Sequence, residues 1–99
     1  MDVKYLLRLS EDELFYHLGR SLPKSRILKD SRTKGKNWFN KNKDTFAKKI
    51  CPKYKTLANK GEAEAALEIA AIIGDELIGI PSLIISVIIL KLGLKSLCK

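Results

Sequence analysis

The chain has 99 residues, 45 % hydrophobic and 30 % charged, with a formal net charge of +8. That is the composition of one globular domain, long enough to bury a core without staples. Two cysteines, Cys51 and Cys98, are too few for a disulfide scaffold, and no apolar run with a small-residue cleavage site opens the chain, so reduced, buried, inert thiols in a cytoplasmic protein are expected.

The charge is unevenly placed. Residues 1–23 lean acidic at a net −1, and residues 61–99 lean acidic at −2. Residues 24–60 carry thirteen Lys or Arg against Asp30 and Asp44, a net of +11. All of the excess is in the middle third.

In chain order, Val3, Leu6 and Leu7, then Leu14, Phe15 and Leu18, are spaced as apolar helical faces. Met1–Leu9 is ambiguous between helix and extended chain. Ser10 followed by Glu13 is a capping-box pattern that starts a helix at about Glu11. Gly19 suits the left-handed cap that would end it, and Leu22-Pro23 marks a turn.

The basic third opens with Lys24 and the apolar pair Ile27-Leu28, and Gly35 is expected to interrupt any helix through 31–36. From Lys36 to Ile50 the helical pattern firms up. Trp38, Phe39, Asn42, Phe46 and Ile50 form one stripe, with Lys41, Lys43, Lys48 and Lys49 together on the facing side. Cys51-Pro52 ends this helix, and a short segment 53–59 carries Tyr54, Leu57 and Ala58 before a turn at Lys60-Gly61.

Residues 62–78 are rich in Ala, Glu, Ile and Leu and predict a helix with early glutamates at its positive end. Ala63, Ala66, Leu67, Ala70, Ile73 and Leu77 are its expected buried side. Gly79-Ile80-Pro81 breaks the run, and a last helix is expected over about 81–97.

The stretch 77–98 has two homes. Its mean hydropathy and the Gly79, Ser82, Ser86 and Gly93 spacing suit a membrane segment with a small-residue seam. Its length argues otherwise: a span takes about 20 apolar residues, whereas runs of roughly 10–14 are more often buried helices. Asp75-Glu76 upstream and Lys91, Lys95 and Lys99 downstream bound the run, and the three lysines would share one helix face. The fold expected is all-α: a compact bundle of four to five helices over residues 1–99, the apolar C-terminal helix at its centre. Ile85, Ile88, Ile89 and Trp38 are then largely buried.

Chemistry is mostly excluded. His17 is the only histidine, and one His with two distant Cys lacks zinc spacing. Glu11, Asp12, Glu13 and the Asp75-Glu76 pair are neighbours that diverge around a helix, which suits capping rather than acid/base work. Thr33-Lys34-Gly35-Lys36 lacks the spacing of a phosphate loop. No enzyme activity, cofactor or metal is expected.

The basic third is the candidate site. Lys34, Lys36, Lys41, Lys43, Lys48, Lys49, Lys53 and Lys55 are the expected partner-binding residues, with Trp38, Phe39 or Tyr54 able to stack bases if exposed. The partner would be an acidic macromolecule, nucleic acid or protein, met by a small non-enzymatic interaction protein. The alternative is a membrane-associated or pore-forming small effector that inserts 77–97 while its lysines meet anionic headgroups. Homo-oligomers fit either reading.

Overall fold

Nothing in the propensity of Ile84, Ile85, Val87, Ile88 and Ile89 favours a helix, because β-branched side chains lose rotamer freedom there. They are helical nonetheless, and all buried. Burial of this run organises the protein.

The computed structural model describes residues 3–22, 31–74 and 81–98. The described residues are mostly helical, with no strand among them. In order come α1 (Val3–Arg8), α2 (Glu11–Ser21), α3 (Ser31–Ile50), a 3-10 turn (Cys51–Lys53), α4 (Tyr54–Ala58), α5 (Glu62–Gly74), α6 (Ser82–Leu92) and α7 (Leu94–Leu97). The expectations for Pro23–Leu28, Asp75-Glu76, Leu77–Ile80 and Lys99 lie outside the described residues.

The all-α bundle with its apolar C-terminal helix at the centre is present. α6 packs along α5 and also meets α1, α2 and α7. Residues 84–89 are all buried, Ile85 and Ile88 completely. Ser86 is as buried as they are, and its hydroxyl donates to the Leu83 carbonyl at 2.7 Å, so no buried polar group is left unmet there. Around α6 the core takes Leu6 from α1, Leu14 and Leu18 from α2, Phe39, Phe46 and Ile50 from α3, Leu57 from α4, and Ile69 and Ile73 from α5.

Local sequence explains two helix ends directly. The Ser10 hydroxyl accepts from the Glu13 N–H at 3.2 Å, and the Glu13 carboxylate accepts from the Ser10 N–H at 3.0 Å. Two otherwise unpaired donors are met reciprocally at the start of α2. The Glu13 carboxyl is thereby held below its ordinary value, chiefly by the Ser10 backbone N–H. Pro52 stops α3 at Ile50 and turns the chain through the 3-10 segment into α4.

Several expectations are corrected. α2 does not end at Gly19; it runs to Ser21 and is capped by Leu22 in an extended conformation. Gly35 does not interrupt α3, which passes straight through it. Both glycines sit where α2 and α3 cross: a Cβ on Gly19 would meet the Ser31 carbonyl, and one on Gly35 would meet the Phe15 carbonyl. Close backbone approach accounts for both, and it outweighs the roughly 1 kcal/mol that glycine costs inside a helix. The aromatic rings of Phe15 and Phe39 seal the same crossing edge-to-face, 5.9 Å apart.

Trp38, expected in the core, is only partly buried and lies against Phe46. On α5 the buried line is Ala65, Ala66, Ile69 and Ile73, and Leu67 is 55 % exposed. A segment so rich in Ala and Ile offers more than one apolar face, and the pairing with α6 selects one. The last helix is shorter than 81–97. Gly93 takes φ +100°, a left-handed conformation suited to glycine, and its N–H caps α6 on the Ile89 carbonyl at 2.9 Å. Lys91 and Lys95 therefore sit on different helices, both exposed.

The cysteines overturn the free-thiol expectation. Cys51 and Cys98 form a disulfide with Cα atoms 5.4 Å apart, joining positions 47 apart in sequence. Both are half-buried. Apolar sequence neighbours had suggested burial, but the route of α6 and α7 brings the chain back to the end of α3.

Candidate functional site

The basic third folds into α3, the 3-10 turn and α4. Phe39, Phe46 and Ile50 mark the inward side of α3. At 100° per residue, these lysines span about 180° of the helix, from Lys43 and Lys36 at one margin, across the outward side at Lys48, to Lys41 and Lys34 at the other. Asn37, Asn40, Thr33 and Asp44 lie between the margins, and all four are exposed.

The candidate lysines thus fall into separate groups. Lys34, Lys41 and Lys48 are seven residues apart and form one row, with successive members about 10.5 Å apart along the axis. Lys36 and Lys43 form a second row, turned about 160° from the first. Lys41 and Lys43, expected on one side, are therefore at opposite margins. Lys36, Lys41, Lys43 and Lys48 are exposed, whereas Lys34 and Lys49 are half-buried, Lys49 on the Trp38 side. Lys53 and Lys55 are exposed beyond the end of α3, and Lys55 lines an open cleft beside the disulfide.

Charge pairing leaves six of the described cations of this block unneutralised. Lys60 is bound to Glu68 at 3.0 Å, which holds its ammonium above the ordinary lysine value. Arg32 reaches Asp12 at 3.4 Å. No carboxylate among the described residues pairs with Lys36, Lys41, Lys43, Lys48, Lys53 or Lys55. Asp44 is the only acid on α3.

The aromatics are arranged differently from the stacking expectation. Phe39 is 1 % exposed, and Trp38 and Tyr54 are half-buried. The exposed aromatics are Tyr5 on α1 and Tyr16 on α2. Tyr16 is engaged by Arg20, whose guanidinium donates to its hydroxyl at 2.9 Å and lies 5.7 Å from the ring centre. Neither tyrosine belongs to the basic third.

The other chemistry-bearing residues have structural surroundings. His17 is half-buried on α2, and its backbone carbonyl accepts from the Ser21 hydroxyl at 2.9 Å. Glu13 is in the capping box and Asp12 is paired with Arg32. The 33–36 segment is helical, with Gly35 against α2. No group of three His, Cys, Asp or Glu among the described residues is placed to hold a metal. Among the described residues no helix is long and apolar enough to cross a membrane.

Sequence reasoning missed the cleft of about 330 Å³ lined by Cys51, Pro52, Tyr54, Lys55, Thr56 and Cys98. Only the pairing of the two cysteines would have pointed to it, and their spacing of 47 does not disclose that pairing.

No protein-family model matches the chain, and neither the curated proteins nor the solved structures yield a match.

Proposed function

We propose that the protein is a non-enzymatic binding module that meets the phosphate backbone of a nucleic acid through α3 and the adjoining 53–55 corner. The observation that carries this reading is the two-margin layout of α3. Lys36 and Lys43 stand on one side, Lys41 and Lys48 on the other, and none of the four is paired to a described carboxylate. Phosphates repeat along both sides of a nucleic-acid groove, and cations flanking a convex helix complement that geometry. Asn37, Asn40 and Thr33 between the margins are neutral donors and acceptors that add hydrogen bonds, and Asp44 is the one group among them that repels the anion.

Base stacking has no part in this reading, because the aromatics of the basic third are buried or half-buried. Affinity comes from charge, so binding is strong at low salt and tolerant of sequence. An acidic protein surface is the competing partner. It offers carboxylates at irregular spacing and would not give the same counterion dependence.

The membrane-inserting alternative asks more of the molecule. Residues 84–89 would have to leave a core in which Ile85, Val87 and Ile88 are fully buried, stripping α5 and α2 of the helix they pack on. Electrostatic docking of the folded protein on anionic lipid is the remaining form of that idea.

Titration of the oxidised protein with a fluorescent duplex over a range of salt tests the proposal. The slope of log K against log salt is expected at about −0.9 per phosphate neutralised. Binding that does not weaken with salt, or binding to anionic vesicles or polyglutamate but not to the duplex, would overturn it.

A further inference from the structure

We propose that the Cys51–Cys98 bond is a reducible latch. A dithiol entering the cleft opens it and frees Leu94–Cys98 from a bundle that stays folded. The latch is independent of the polyanion reading, and it rests on where the bond lies and what it holds.

Access comes first. Exposed disulfides are the more readily reduced ones, and Cys51 and Cys98 are half-buried and line an open cleft of about 330 Å³. That space admits a small dithiol or the tip of a thiol–disulfide oxidoreductase. Lys55 lines the same cleft. Its ammonium favours a thiolate leaving from the bond, and leaving-group stability speeds exchange.

What the bond holds is weak by itself. α7 has four residues and none of them is buried. Its backbone bonds are few: Ser96 and Leu97 donate to the Gly93 carbonyl at 3.1 and 3.2 Å, and Cys98 donates to the Leu94 carbonyl at 2.9 Å. Isolated helices shorter than about 12–15 residues are marginal in water. Leu94 and Leu97 add partial packing against the core, which does not amount to an anchor. Gly93 at φ +100° separates this segment from α6 and supplies the pivot.

The bundle does not depend on the segment. Ile84–Ile89, Phe39, Phe46 and Ile50 are buried among α1, α2, α3, α5 and α6. Ile50 immediately precedes Cys51 and is 0 % exposed, so the α3 end of the latch stays put while the α7 end swings.

The chemistry balances as an exchange. One thiolate of the dithiol attacks a protein sulfur, breaking the Cys51–Cys98 bond and forming a mixed disulfide. The second thiolate resolves it, leaving the reagent as a cyclic disulfide. Two electrons and two protons pass from the dithiol to the cysteines, which end as thiols.

The test uses the oxidised full chain without denaturant. Dithiothreitol is added, thiols are counted by N-ethylmaleimide mass labelling, and amide hydrogen exchange is followed with and without reductant. Two labels are expected, with protection of the Ser96, Leu97 and Cys98 amides falling by roughly tenfold or more while the Ile84–Ile89 amides keep theirs. The double variant Cys51→Ser, Cys98→Ser should reproduce the reduced pattern without any reagent. Labelling that requires denaturant would overturn the latch. So would unchanged exchange at 96–98 after reduction, or loss of protection in α6 together with α7. An unfolded double variant overturns it too, since the bundle would then depend on the bond.

Discussion

Gly19 of α2 and Gly35 of α3 face each other so closely that a Cβ on Gly35 would stand 2.9 Å from the Gly19 nitrogen and still closer to the Phe15 carbonyl. The obstacles are backbone atoms on both sides, which cannot rotate away as a side chain can. Two effects compete on replacement by alanine. Helix propensity favours alanine by about 1 kcal/mol, and overpacking costs typically 1–3 kcal/mol or more. Here the clash wins. Gly19→Ala and Gly35→Ala should each lower stability in urea denaturation, and Gly74→Ala is the control. At Gly74 the nearest obstacle is the Ser82 hydroxyl at 3.7 Å, so alanine should be neutral or mildly stabilising. Equal effects at all three positions would contradict the crossing.

Burial on α6 and exposure on α5 give a second contrast. Ile85 and Ile88 are each 0 % exposed, and Leu67 is 55 % exposed. Ile85→Ala and Ile88→Ala should each cost about 2–5 kcal/mol. Leu67→Ala should stay within about 0.5 kcal/mol of the parent. A thermal midpoint unmoved by the two isoleucine changes would place α6 outside the core.

The fold class was legible because burial follows composition: an uncharged run over 81–90, too short to span a bilayer unaided, is driven into a core, and the capping box at Ser10 and Glu13 is a purely local pattern. Most of the misreadings share one cause, which is that a residue's partner is distant in sequence. Gly35 reads as a helix breaker until α2 is laid across it. Leu67 reads as core until α6 selects the adjacent face of α5. Gly93 reads as part of a continuous helix, since a single glycine after apolar residues fits both an interior and a cap. The candidate lysines were legible as a charge excess, but their division between two margins needed the inward direction of α3, which Phe39, Phe46 and Ile50 supply. Nothing local in Cys51 or Cys98 announces the bond between them.

The capping box makes stability depend on acid. The Glu13 carboxylate accepts from the Ser10 backbone N–H and lies beside the Ser10 side chain, so its folded carboxyl titrates below the unfolded one. Its contribution is fully present above the unfolded value and is lost as pH falls through the folded value. The Glu13→Gln variant should lose less stability than the parent between neutral pH and pH near 3. Urea midpoints at both pH values measure this. Ser10→Ala removes the cap itself and should cost about 0.5–2 kcal/mol at neutral pH. Parallel pH profiles for the parent and Glu13→Gln would mean that the carboxylate is not held by the cap.

Location, rather than total charge, is what the α3 reading requires, and charge reversals of equal size separate the two. Lys41→Glu with Lys48→Glu changes one margin, Lys36→Glu with Lys43→Glu changes the other, and Lys91→Glu with Lys95→Glu changes a distant pair. Each double variant lowers the net charge from +8 to +4. All six side chains are exposed, so the fold and its helical circular dichroism should be preserved in each. If α3 seats itself between phosphate rows, either margin variant should weaken duplex binding strongly and reduce the salt slope by about 1 for each phosphate no longer neutralised. The Lys91 and Lys95 variant should keep most of the affinity, retaining the slope of the parent. Combining both margin pairs should abolish binding. Equal losses in all three double variants would mean that the duplex responds only to net charge, and normal binding by the combined variant would remove α3 as the site.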